Sequence, residues 1–133
     1  FRPMSRSILI KAGILGMIAV LGGAFGAHAL KEVLSPEHLA SFNTGVRYQM
    51  IHAVVLIGLF LLGIKFEMKQ FRIAAQLIFW GVILFSGSIY LLTLKNIIGV
   101  EALKFAGPIT PIGGLLIITG WLFMVLGAMK VKK

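Results

Sequence analysis

The chain alternates long apolar runs with short polar breaks. No Asp, Glu, Lys or Arg occurs within Ala12–Leu30, Tyr48–Ile64, Ile73–Leu94 or Phe105–Met129. A hydrocarbon core about 30 Å thick takes about 20 apolar residues as helix, so each run predicts a transmembrane helix. The second run is the shortest, with 17 residues between Arg47 and Lys65. Those two side chains reach the interface by snorkelling. The spans are therefore placed at about residues 12–30, 47–64, 73–94 and 105–129. The expected fold is an all-α integral membrane protein, an antiparallel four-transmembrane-helix bundle forming one membrane domain over residues 4–133.

The breaks carry their own signals. In Leu34-Ser35-Pro36-Glu37-His38, Ser35 suits an N-cap, Pro36 the first helical position and Glu37 the positive end of the helix dipole. Leu39, Phe42 and Val46 follow at helical spacing, which predicts a short interfacial amphipathic helix between spans one and two. Asn43-Thr44-Gly45 is where it would break or bend. Residues 65–72 read as a tight turn and 95–104 as an exposed loop. Phe1-Arg2-Pro3 precedes Met4 and reads as a cloning remnant. Ala27-His28-Ala29 resembles a signal-peptidase site, but the first span is read as retained. There is no internal repeat and no low-complexity stretch.

Composition closes off other classes. Apolar residues make up 59% of the 133 and charged residues 13%, against about 45–50% and about 25% in soluble domains. A chain this short cannot hide so much apolar surface from water, which excludes a soluble enzyme, a disordered tail or a secreted scaffold. The absence of cysteine removes disulfides and thiolate chemistry. Basic residues are divided unevenly. Arg2, Arg6, Lys11, Lys65, Lys69, Arg72, Lys130, Lys132 and Lys133 share one side, and Lys31, Arg47, Lys95 and Lys104 the other. This predicts that the N- and C-termini both face the cytoplasm. The net charge of +9 then reports topology and attraction to anionic lipid. Nucleic acid is not an expected partner, because the basic residues lie in short loops rather than on one face.

With that orientation, polar side chains concentrate in the outer half: His28, Arg47, Tyr48, Gln49, His52, Ser86, Ser88, Tyr90, Thr93 and Thr110. The inner half holds little beyond Gln76 and Thr119. Thr44, Tyr48 and His52 form one helical stripe, with Gln49 beside it, and Ser86, Tyr90 and Thr93 form another. Unsatisfied polar groups are costly in hydrocarbon, so both stripes are expected to face inward and bond each other. Two readings follow: a hydrogen-bond network that fixes helix register, or an outward-opening site for a small molecule, proton or metal. His28 and His52 could meet across spans one and two, yet two histidines alone make a poor zinc or haem site, and no cofactor is assigned.

Small residues predict packing. Gly16, Gly22, Gly23 and Gly26 form a stripe on span one, and Gly113, Gly120 and Gly127 a heptad seam on span four. Leu59 is assigned to the lipid-facing side of span two. No nucleophile elbow, zinc-protease motif, P-loop or dinucleotide fingerprint is present. The acids Glu32, Glu37, Glu67 and Glu101 all lie in loops, so no catalytic carboxylate pair exists inside a span.

Gly22–Leu30, Gly45–Ala53, Phe85–Leu92 and Gly107–Trp121 resemble, in order, the signature blocks of the domain-of-unknown-function 423 family. These are small bacterial inner-membrane proteins, to which eukaryotic transmembrane protein 256 is similar. The resemblance implies four membrane helices and no particular activity. The expected function is that of a structural or accessory membrane protein, homo-oligomeric or seated in a larger complex. The rival is a protein that binds or transports a small molecule, a lipid, a quinone or an ion through the outer polar cluster.

Overall fold

The computed structural model describes residues 4–132, so Phe1-Arg2-Pro3, expected to be a cloning remnant, lies outside them. Four long helices follow one another: α1 Arg6–Val33, α2 Pro36–Phe66, α3 Lys69–Ile98 and α4 Ile109–Lys130. A 3₁₀ segment, Glu101–Ala106, leads into the last. All four are long and apolar enough to cross a membrane.

The helix ends follow local chemistry. Ser5 Oγ accepts the Ser7 amide at 3.1 Å and opens α1. Ser35 Oγ accepts the His38 amide at 3.2 Å, with Pro36 in the first turn of α2, as the sequence predicts. Glu67 ends α2 in the left-handed region, at φ 51°. Gly99 does the same for α3 at φ 73°, a conformation that suits glycine. The break at residues 67–68 confines the α2–α3 connection to two residues.

Two local expectations are corrected. The predicted interfacial helix does not stand apart. Residues from Pro36 onward are helical, but they continue without interruption into the second span. Asn43-Thr44-Gly45 does not break the helix, and no proline removes a donor there. Thr44 Oγ1 is turned back onto the Ala40 carbonyl at 3.0 Å, and Gly45 lies against α3, where a methyl in its place would sit 3.1 Å from Ile89. The 95–104 loop is also shorter than expected. α3 runs to Ile98, and the 3₁₀ segment takes up most of what remains.

α1 packs along α2, α2 along α3 and α3 along α4, while α1 and α4 form no seam. Neighbours run antiparallel, as the contacts show: Gly16 faces Ala53 and Gly26 faces Phe42, while Gly81 faces Ile117 and Phe71 faces Gly127. One end of the bundle, the proximal end, thus carries both described termini and the α2–α3 turn. The distal end carries the α1–α2 and α3–α4 connections. The main core is built from Ile8, Leu15, Leu56, Leu59, Phe71, Ile78, Val82 and Ile117. A smaller distal cluster holds Leu30, Leu34 and Phe42.

Leu59 is fully buried in the main core and does not face lipid. It stands seven residues beyond buried His52 and three beyond buried Leu56, on the inward stripe of α2.

The glycine seams are where backbones come closest. A methyl on Gly113 would strike the Phe85 backbone nitrogen and lie 2.8 Å from the Gly81 carbonyl oxygen. A methyl on Gly120 would lie 3.2 Å from the Ala74 carbonyl oxygen, and one on Gly127 2.7 Å from the Phe71 ring. On α1, a methyl on Gly22 would lie 3.2 Å from Val46 and one on Gly26 3.0 Å from Phe42, whereas a methyl on Gly16 or Gly23 would find ordinary contact distances of 3.8 and 3.7 Å.

Candidate functional site

The polar side chains of the distal half meet between the helices. Gln49 is buried on α2 and is engaged at both ends of its amide. Its Nε2 donates to the Leu15 carbonyl of α1 at 2.8 Å, and its Oε1 accepts the Tyr90 hydroxyl of α3 at 2.6 Å. A single side chain thereby ties three helices.

His52 lies one turn further along the same face. Trp121 of α4 donates its indole Nε1–H to His52 Nε2 at 3.0 Å. That nitrogen must then be the acceptor, so the proton sits on Nδ1, which donates to the Tyr48 carbonyl at 2.7 Å. Both ring nitrogens are used by the neutral imidazole. Between α2 and α3, Ser86 Oγ donates to the Gly45 carbonyl at 2.7 Å. Between α3 and α4, Ser88 Oγ shares a hydrogen bond with Thr110 Oγ1 and reaches the Phe85 carbonyl at 2.9 Å. Ser88 can donate to Phe85 while Thr110 donates to Ser88. Every pair of adjacent helices is therefore joined by at least one polar bond, and Trp121 adds a link from α2 to α4.

The predicted residues divide into two groups. Gln49, His52, Ser86, Ser88, Tyr90 and Thr110 come together in this network. Tyr48 contributes its carbonyl, while its half-exposed ring stacks on Phe85 with centroids 4.8 Å apart. Arg47 is exposed on α2, and His28 is exposed on α1. The expected inward stripe of Thr44, Tyr48 and His52 is rotated by one position. The buried face of α2 runs through Phe42, Gly45, Gln49, His52, Ala53 and Leu56, and Thr44 bonds only within its own helix. Thr93 likewise bonds the Ile89 carbonyl of its own helix.

His28 and His52 are not brought together. His28 stands two residues from buried Gly26 and two from buried Leu30, hence on the opposite side of α1. Because Gly16 faces Ala53 and Gly26 faces Phe42, His28 is level with residue 40 of α2, about 18 Å along the axis from His52. Among the described residues, no group of three or more metal-ligating side chains is assembled.

Trp121 is the partner that spacing arguments missed. A signal was present, since an indole donor in the middle of an apolar helix needs an acceptor. The Leu15 and Gly45 carbonyls carried none, because any helical backbone offers such groups.

Two cavities of the distal half border residues of the candidate site other than His28, which lines a separate surface hollow of about 460 Å³ with Lys31 and Glu32. One, of about 350 Å³, is apolar and lies between α1 and α3 over Phe42, with Ile18, Leu21, Phe25, Tyr90 and Leu94 on its walls. The other, of about 470 Å³, lies at the distal end and is lined by His38, Ser41, Thr44, Thr93, Asn96 and Thr110, among others. Gln49, His52 and Ser86 line neither.

Four apolar helices with polar groups bonded between them define a polytopic helical membrane protein. The chain belongs to the family of proteins of unknown function designated DUF423, which it matches over residues 9–114. It is 38% identical to a UPF0382 membrane protein of Staphylococcus saprophyticus over 125 residues, 92% of this chain and 97% of that protein. It is 34% identical over 129 residues to the UPF0382 inner membrane protein YgdD of Escherichia coli K12, covering 97% of this chain and 94% of that protein. No solved structure matches.

Proposed function

We propose that this protein is a small structural or accessory component of the bacterial inner membrane, whose distal polar residues lock the helices in register and do not carry cargo. The carrying observation is saturation. Both ends of the Gln49 amide and both nitrogens of His52 already hold protein partners. A site for a ligand, proton or metal needs groups free to exchange partners.

The proposed orientation places both termini and the α2–α3 turn in the cytoplasm, following the excess of Lys and Arg at that end. The distal network then lies in the outer half of the membrane. The proposed partners are further copies of this chain or subunits of a membrane complex. They would cover apolar positions on the outer faces of α1 and α4, such as Val20, Leu21, Leu115 and Ile118, which are at least 60% exposed.

A second reading, a protein that binds a small molecule, draws on the distal-end cavity with its hydroxyl, amide and imidazole lining. Thermal-shift screening of the wild type, His52→Ala and Tyr90→Phe against quinones, lipids, haem and divalent metals separates the two. A ligand at a hundredfold excess over its Kd stabilises by about 2.7 kcal/mol. A hit in the wild type that vanishes in both variants would establish a site at the network. A hit that survives both but is lost in Asn96→Leu would place it in the distal-end cavity. Silence across the screen supports the register lock.

A further inference from the structure

The proximal end carries a feature that the polar network does not use. Lys65 in the last turn of α2, and Lys130 and Lys132 at the end of α4, line one cavity of about 320 Å³ with Phe66, Met68 and Val131. We propose that this cavity binds the phosphate head group of an anionic phospholipid, with the three lysines on the phosphate and the apolar residues against the glycerol and the start of the acyl chains.

Charge supports this. A helix C-terminus carries about half a negative charge, so the ends of α2 and α4 together offset only about one of the three lysine charges. Among the described residues, Glu67 is the only acidic side chain at this end of the bundle. Counting it still leaves the surroundings of the cavity positive. Among the described residues the one ion pair is Lys95–Glu101, at the distal end. Among the described residues, no carboxylate therefore lies within ion-pair distance of Lys65, Lys130 or Lys132. Nearby on α3, the Arg72 Nε is buried without a hydrogen-bond partner among the described residues, so this end is short of anionic acceptors more generally.

The chemistry of the walls distinguishes a lipid from a free anion. A phosphate site for a soluble ion would be polar throughout. Here Phe66, Met68 and Val131 provide an apolar side, and Lys65 Nζ already lies 5.4 Å from the Phe66 ring centroid. Its ammonium head therefore sits at the boundary between ring and phosphate. Basic pockets between helix ends on the cytoplasmic side suit anionic head groups, each nearby lysine strengthening the attraction.

The test uses the full chain purified in a neutral detergent and titrated with phosphatidylglycerol, followed by native mass spectrometry and thermal shift. Phosphatidylcholine and inorganic phosphate are the comparison ligands. Phosphatidylglycerol should be retained and should raise the melting temperature, and the other two should not. Lys65→Gln, Lys130→Gln and Lys132→Gln should each weaken retention roughly fivefold, and the triple variant should lose it. A charge-matched distal triple, Lys31→Gln with Arg47→Gln and Lys104→Gln, should retain phosphatidylglycerol as the wild type does. If the proximal triple variant melts early without lipid, the Lys132→Gln single variant carries the comparison. Equal retention by wild type and proximal variants would overturn the proposal, as would equal losses in the distal control. Stabilisation by inorganic phosphate alone would overturn the lipid assignment.

Discussion

At the residue scale, the decisive difference is between polar groups that reach another helix and those that fold back on their own. Trp121 and His52 are a bonded pair across α2 and α4, whereas Thr119 bonds only the Leu115 carbonyl one turn back. Hydrogen bonds between membrane helices average about 0.6 kcal/mol and reach about 1.7. Trp121→Phe should therefore lower unfolding stability in detergent by an amount in that range, because it leaves His52 Nε2 without a donor. Thr119→Val should change it by less than about 0.5 kcal/mol. Equal effects would show that the interhelical bond contributes nothing. Which residues are polar, and that they cluster towards one end, was legible in the sequence. Which of them point inward was not. Tyr48 and Gln49 are adjacent, so about 100° of helix rotation separates the two assignments. The close seating of Gly45 and Ala53 against α3 and α1 decides between them in favour of Gln49.

At the element scale, the helices are held by the positions with the least side chain. Gly113 and Gly120 let α3 and α4 approach to backbone contact. Gly113→Leu should separate that pair, with loss of the folded species on size-exclusion chromatography. Gly87→Ala should be tolerated, since nothing lies within 4 Å of a methyl built there. Leu59→Phe has a changed expectation. On a lipid-facing position it would be neutral, but Leu59 is fully buried, and overpacking a filled core costs about 1–3 kcal/mol. A wild-type melting temperature for Leu59→Phe would contradict that packing. The heptad of glycines on α4 was readable because its period matches a helix crossing, but Gly81, its partner on α3, stood alone and carried no period. The continuity of α2 through Gly45 was hidden for a different reason. Local propensity at Asn43-Thr44-Gly45 disfavours helix, and packing against Ile89 and Tyr90 overrides it.

At the scale of the whole molecule, four apolar runs were enough to anticipate four membrane helices, because the bilayer leaves a backbone few alternatives. The order of packing was not legible, since hydrophobicity cannot tell a lipid-facing surface from a helix-facing one. The proposed orientation is open to direct labelling, as the chain has no cysteine. Ser41 and Lys69 are exposed near opposite ends of the bundle. Ser41→Cys should react with an impermeant maleimide added to intact cells, and Lys69→Cys only after lysis; the reverse pattern would invert the topology. The proposed lock between helices by the distal polar groups is most open to test at the Gln49–Tyr90 contact. Unfolding free energies of the wild type, Gln49→Leu, Tyr90→Phe and the double variant form a closed cycle. A coupling energy of about 0.6–1.7 kcal/mol is expected, with the double variant less destabilised than the two single losses added together. Simple additivity within about 0.3 kcal/mol would contradict the lock.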